Sequence, residues 1–92
     1  MVEQTVVITN RLGLHARAAA QLVSTASRFK SQVRIERLDH SAAADAKSIL
    51  SVLMLAASRG TELKLTVDGP DENEAIEALT GLFAQGFGET LT

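Results

Sequence analysis

Thr5-Val6-Val7-Ile8-Thr9 runs into Asn10-Arg11-Leu12-Gly13, and beyond it apolar residues fall at Ala19, Leu22, Val23, Ala26 and Phe29. Five consecutive β-branched residues restrict χ1 and favour extended backbone, so the first stretch reads as a strand. Asn10 and Gly13 mark the loop that ends it. The later spacing of three and four lays one apolar stripe along a helix, predicted from about Ala16 to Arg28.

The rest of the chain continues the alternation. Val33 and Ile35 alternate with Arg34 and Glu36, as in a strand with one face buried, and Asp39-His40 offers a turn into a short edge strand over Ser41–Ala44. Ser48 is placed to cap a helix through Ile49-Leu50-Ser51-Val52-Leu53-Met54-Leu55, which is expected to end before Gly60, a residue suited to a C-terminal cap or a turn. Leu63, Leu65 and Val67 alternate with Lys64 and Thr66 in a fourth strand, closed by Asp68-Gly69-Pro70. Asp71 and Glu74 have capping-box spacing ahead of a last helix with the stripe Ala75, Ile76, Leu79, Leu82 and Phe83. The tail from Gly86 is expected to fray. The order β-α-β-β-α-β-α predicts an α+β open-faced β-sandwich: a four-stranded, mostly antiparallel sheet with three helices on one face and water on the other. No linker or low-complexity seam divides it, so residues 1–92 are expected to form a single domain.

Composition narrows the chemistry. The chain of 92 residues has no cysteine, which removes disulfides, zinc–thiolate sites, iron–sulfur clusters and cysteine nucleophiles. Nine Lys and Arg against eleven Asp and Glu leave a formal charge of −2, and the aromatics are Phe29, Phe83 and Phe87. Nucleic-acid binding through a basic stripe or an aromatic platform is therefore disfavoured. Met1-Val2-Glu3-Gln4 lacks a basic region, and the apolar stretch Ile49–Ala57 is far too short to span a bilayer. A cytoplasmic protein without membrane insertion is expected, with a monomer as its default state.

The two histidines differ in context. His40 sits in the predicted hairpin turn and reads as a solvated loop residue. His15 lies in Gly13-Leu14-His15-Ala16-Arg17, where a loop becomes a helix. There the first backbone amides have no partner within the helix, and the peptide dipoles place positive potential just beyond them. That potential attracts anions and opposes protonation of an imidazole, so a ring nitrogen of His15 is expected to be available as a nucleophile toward phosphorus. The amides of Ala16 and Arg17, with the Arg17 guanidinium, could then hold the phosphate oxygens. Phosphoryl transfer depends mainly on such positioning and electrostatic stabilisation. On spacing alone, a solvent-facing helix-start histidine and a surface arginine remain the simpler reading.

The longer strings change that balance. Asn10-Arg11-Leu12-Gly13-Leu14-His15-Ala16-Arg17-Ala18-Ala19-Ala20, with Lys47-Ser48-Ile49-Leu50-Ser51-Val52 downstream, resembles the HPr family, histidine-containing phosphocarriers of the bacterial phosphotransferase system. The resemblance covers essentially the whole chain and implies the fold inferred from periodicity. It implies that His15 accepts a phosphoryl group on Nδ1 from enzyme I, itself charged by phosphoenolpyruvate, and hands it to a sugar-specific enzyme IIA, with Arg17 assisting. Such a carrier has no independent turnover and holds no metal or organic cofactor. The resemblance also implies that Ser48 is the regulatory serine phosphorylated by an ATP-dependent HPr kinase/phosphorylase where one exists. As a bare N-cap, Ser48 would serve only the helix, and the two roles are compatible. Six large apolar residues in the seven positions from Ile49 to Leu55 exceed what one buried stripe of a short helix can hide. The resemblance implies that partners dock through this helix and the start of the first one, which makes Ile49, Leu50 and Leu53 candidates for a partner-docking patch. Ala18 stands where the family usually has proline and Ala56 where many members have glycine, and the segment from Phe29 to Ser48 is slightly longer than usual.

Two further classes remain at this stage. One keeps the carrier chemistry but uses it for regulation, as in the nitrogen-related branch of the same system or a module read mainly through Ser48. The other is a docking module without chemistry, which has no need of a histidine at an anion site. A small-molecule-binding domain finds little support, since no glycine-rich phosphate loop is visible.

Overall fold

A computed structural model describes residues 1–89. Its elements are β1 (Val2–Val7), α1 (Ala16–Ser27), β2 (Gln32–Arg37), β3 (Ala43–Asp45), α2 (Ile49–Met54), β4 (Glu62–Asp68) and α3 (Glu72–Ala84), followed by one 3-10 turn over Gly86–Gly88. The four strands lie in the order β1-β4-β2-β3 with every pair antiparallel. In β4, Leu63, Leu65 and Val67 are buried while Glu62 and Asp68 are exposed, so strand alternation turns one face inward. Val33 and Ile35 of β2 join them opposite Val67 and Leu65. The three helices cover this face with Ala18, Ala19, Leu22, Val52, Ala75, Leu79 and Phe83. On the polar face Lys64 lies within ion-pair range of Glu3 at 3.8 Å and Glu36 at 3.9 Å. The predicted open-faced architecture and element order therefore hold.

Several boundaries differ from the sequence expectation. β1 begins at Val2 and ends at Val7, because pairing with β4 recruits Glu3 and Gln4 into an edge strand despite their polarity. β3 is shifted from Ser41–Ala44 to Ala43–Asp45, since Ser41 is held in the turn: its amide and hydroxyl both donate to Asp39 Oδ1, at 2.9 and 2.6 Å. α2 stops at Met54, and Ala56, with φ 51°, takes the left-handed conformation that follows its C-cap. Of the cap and the turn expected of Gly60, the structure shows the turn: Gly60 has φ 89° and lies where Thr61 N–H donates to Ser58 O at 3.0 Å. The capping box also fails: the Asp71 side chain does not cap α3 but accepts from the amides of Lys30 and Ser31 and from Ser31 Oγ. Those bonds tie the α1–β2 connection to the start of α3 and account for the complete burial of Ser31.

The tail departs most. Gly86, Phe87 and Gly88 all have positive φ, at 60°, 57° and 76°, and Phe87 is buried. Its ring meets Phe83 edge-on with centroids 5.0 Å apart. A left-handed conformation is unfavourable for phenylalanine, and burial of its ring beside Phe83 offsets that cost. Packing thus replaces the expected fraying from Gly86 to Glu89, and the remainder of that expectation, residues 90–92, lies outside the described residues.

Candidate functional site

The site begins with the turn that follows β1. Gly13 N–H donates to Asn10 O at 3.2 Å, and the Asn10 side-chain amide donates to Gly13 O at 2.7 Å, closing the Asn10–Gly13 loop from both sides. Asn10 is fully buried, and its Oδ1 has no hydrogen-bond partner among the described residues. Gly13 has φ 67° and lies so close to the segment after α2 that a Cβ there would sit 2.5 Å from Ala57 O. Leu14 N–H donates to the same Ala57 carbonyl at 2.9 Å. Two contacts therefore fasten the entrance of α1 to the exit of α2.

Directly after this fastening comes His15, the N-cap of α1. Its backbone is extended, its carbonyl accepts from Ala19 N–H at 2.8 Å, and its Nδ1 accepts from Arg17 N–H at 3.3 Å. The imidazole thus serves as the cap, with Nδ1 directed at the opening turn of the helix, where the backbone donors gather. The ring is about a quarter exposed, at 26%. Arg17 is exposed, and its guanidinium makes no hydrogen bond or ion pair among the described residues. Ala16 supplies the first helical amide, which lacks an intrahelical acceptor by its position. His15, Ala16 and Arg17 are therefore brought together at one helix end.

The other ring nitrogen, Nε2, contacts the Glu89 carboxylate, which the returning tail brings back from α3. The hydrogen bond with His15 is the chief reason the Glu89 carboxyl lies below its ordinary value, and Asn10 and Leu12 draw it further down. Nδ1 accepting and Nε2 donating define a single neutral tautomer. Glu89 was not legible as a site residue, because it lies 74 positions from His15 and its approach depends on three successive left-handed residues and the burial of Phe87. The glycines on either side of Phe87 are the only local signal of that reversal.

Ser48 caps α2, with Oγ accepting from Ser51 N–H at 3.4 Å, and it is partly exposed. Its own amide donates to Asp45 O at 3.0 Å, while neighbouring Lys47 reaches Phe29 O at 2.8 Å through Nζ. Within α2 the apolar residues divide cleanly. Val52 is buried and Leu55 closes the core beneath it, whereas Ile49, Leu50 and Leu53 are 45%, 66% and 38% exposed. Met54 and Leu12, which the sequence reading did not select, are exposed to a similar or greater degree. His40 is exposed in its turn, within 3.8 Å of Glu36.

This arrangement has counterparts. Residues 2–85 match a family model described as the PTS HPr component phosphorylation site. The phosphocarrier protein HPr of Cupriavidus necator is 49% identical over 97% of this chain and 98% of its own length. The phosphocarrier protein NPr of Escherichia coli is 41% identical over 96% and 97%. The crystal structure of HPr from Thermoanaerobacter tengcongensis is 46% identical, with a TM-score of 0.92 over 99% of this chain and 100% of that one. A dimeric form of that HPr is similar at a TM-score of 0.75 over 97% and 100%. With an imidazole capping its first helix and the sandwich to present it, the chain belongs to the HPr family of phosphotransferase-system phosphocarriers.

Proposed function

We propose that this chain carries a phosphoryl group on His15 Nδ1, taking it from phosphorylated enzyme I and delivering it to the enzyme IIA components of a phosphoenolpyruvate-dependent sugar system in the cytoplasm. The observation that supports this most is the direction of Nδ1, which accepts from Arg17 N–H at the opening of α1. In the transfer, the Nδ1 lone pair forms a bond to phosphorus as the donor–phosphorus bond breaks, and Nε2 keeps its proton. The amides of Ala16 and Arg17 can then turn to the phosphoryl oxygens, with the Arg17 guanidinium adding a charge-assisted bond. Ile49, Leu50 and Leu53 form the apolar contact for enzyme I and enzyme IIA, along α2, whose exit is fastened to the His15 turn. The protein works as a monomer without independent turnover. Ser48 is the site for an HPr kinase/phosphorylase, where a phosphate would add negative charge at the edge of the docking patch.

Incubation with enzyme I and phosphoenolpyruvate should give an acid-labile phosphoryl adduct that is absent from His15→Ala. Failure of the wild-type chain to take up phosphate would refute the carrier role. Similarity to NPr favours a second reading, a regulatory carrier of the nitrogen-related branch. Offering the phosphorylated chain equal amounts of sugar-specific and nitrogen-related enzyme IIA separates the two readings by which acceptor empties it faster.

A further inference from the structure

We infer that Glu89 is a positioning residue for phosphoryl transfer, its carboxylate holding the His15 ring through Nε2 so that Nδ1 faces the incoming phosphorus. This rests on the carrier reading above. His15 is held at both ring nitrogens: Arg17 N–H donates to Nδ1 at 3.3 Å, and Nε2 engages Glu89. Together these contacts leave one tautomer and one ring orientation. The Glu89 side chain is 11% exposed, so little water competes for its oxygens.

The chain uses several devices to bring Glu89 there. α3 ends at Ala84, the positive φ values of Gly86, Phe87 and Gly88 reverse the backbone, and the buried Phe87 ring fixes that reversal against Phe83. Thr9 Oγ1 donates to Phe83 O at 3.4 Å, tying the β1 exit to the same helix end.

The chemistry gives the contact its value. When Nδ1 bonds to phosphorus its lone pair is consumed and the ring acquires positive character, while the proton stays on Nε2. A carboxylate at Nε2 becomes more favourable as that charge develops, the relation by which a buried aspartate supports a catalytic histidine. Glu89 would thus favour the phosphorylated ring over the free one.

The test uses the full chain labelled with nitrogen-15, and phosphoramidate as a small donor that needs no docking surface. With this donor the Nδ1–P bond forms as the donor P–N bond breaks and ammonia leaves. The wild-type spectrum should show a downfield His15 Nε2–H resonance that disappears in Glu89→Ala and is retained, less far downfield, in Glu89→Gln. Phosphorylation by phosphoramidate should slow about 10-fold in Glu89→Ala, the loss of a charge-assisted bond, with Glu89→Gln intermediate. An unchanged Nε2–H resonance in Glu89→Ala, or equal rates for Glu89→Ala and wild type, would overturn the role of Glu89 while leaving His15 as the carrier. No adduct on the wild-type chain, from phosphoramidate or from enzyme I, would instead overturn the carrier reading.

Discussion

Replacing Gly13 with alanine tests the link between the His15 turn and the end of α2. Gly13 has φ 67°, and an added Cβ would lie 2.5 Å from Ala57 O and 2.8 Å from Ser58 Cα. Both are backbone atoms, so no flexible side chain can swing aside. The left-handed conformation alone costs an L-residue roughly 1–2 kcal/mol. Separating the two segments also strains the Leu14 N–H bond to Ala57 O, 2.9 Å long, and a hydrogen bond of this kind contributes about 1 kcal/mol. The sum is roughly 2–3 kcal/mol, which for a domain of this size corresponds to a Tm lowered by about 10–20 °C. Circular dichroism melts of Gly13→Ala and wild type at one protein concentration provide the measurement. Because His15 follows two residues later, the variant should also take up phosphate more slowly than wild type at a temperature where both are folded. A Tm within about 4 °C of wild type, equivalent to less than roughly 1 kcal/mol, would refute the close-approach argument.

Ala56→Gly should have the opposite sign. Ala56 is exposed with φ 51°, so glycine relieves roughly 1–2 kcal/mol of left-handed cost while adding about 0.5–1 kcal/mol of unfolded-state freedom, and Tm should rise by a few degrees; a fall would contradict this balance. Asp71 is pulled from 3.8 down to about 2, first by the Ser31 hydroxyl and then by the amides of Lys30 and Ser31. A carboxyl depressed in the folded state stabilises above its unfolded value and loses that contribution as pH falls through the folded one. Asp71→Asn should therefore be less stable than wild type at pH 6, with the gap narrowing between about pH 4 and pH 2; a gap that is constant across that window would count against the assignment. Leu50→Ser, at an exposed position, should change stability by less than about 0.5 kcal/mol yet raise the KM for enzyme I several-fold, with no change in the rate from phosphoramidate. Equal slowing with both donors would point to a disturbed His15 and away from docking.

What the sequence determined is local in origin. Alternation in Leu63–Val67, the stripe from Ala19 to Ala26, and the Asn10–Gly13 turn all depend on residues within a few positions of one another, and each acts through backbone conformation or through which face is apolar. Those signals were enough for the element order, the face covered by helices and the placement of His15 at the start of α1. Tertiary structure decided what depends on distant partners. Pairing with β4 drew Glu3 and Gln4 into β1, the α1–β2 loop claimed the Asp71 carboxylate from its own helix, and burial of Phe87 beside Phe83 turned the tail back so that Glu89 meets His15. A carboxylate can hold a ring 74 positions away only after the core has fixed both ends of the path, and no period in the sequence encodes that distance.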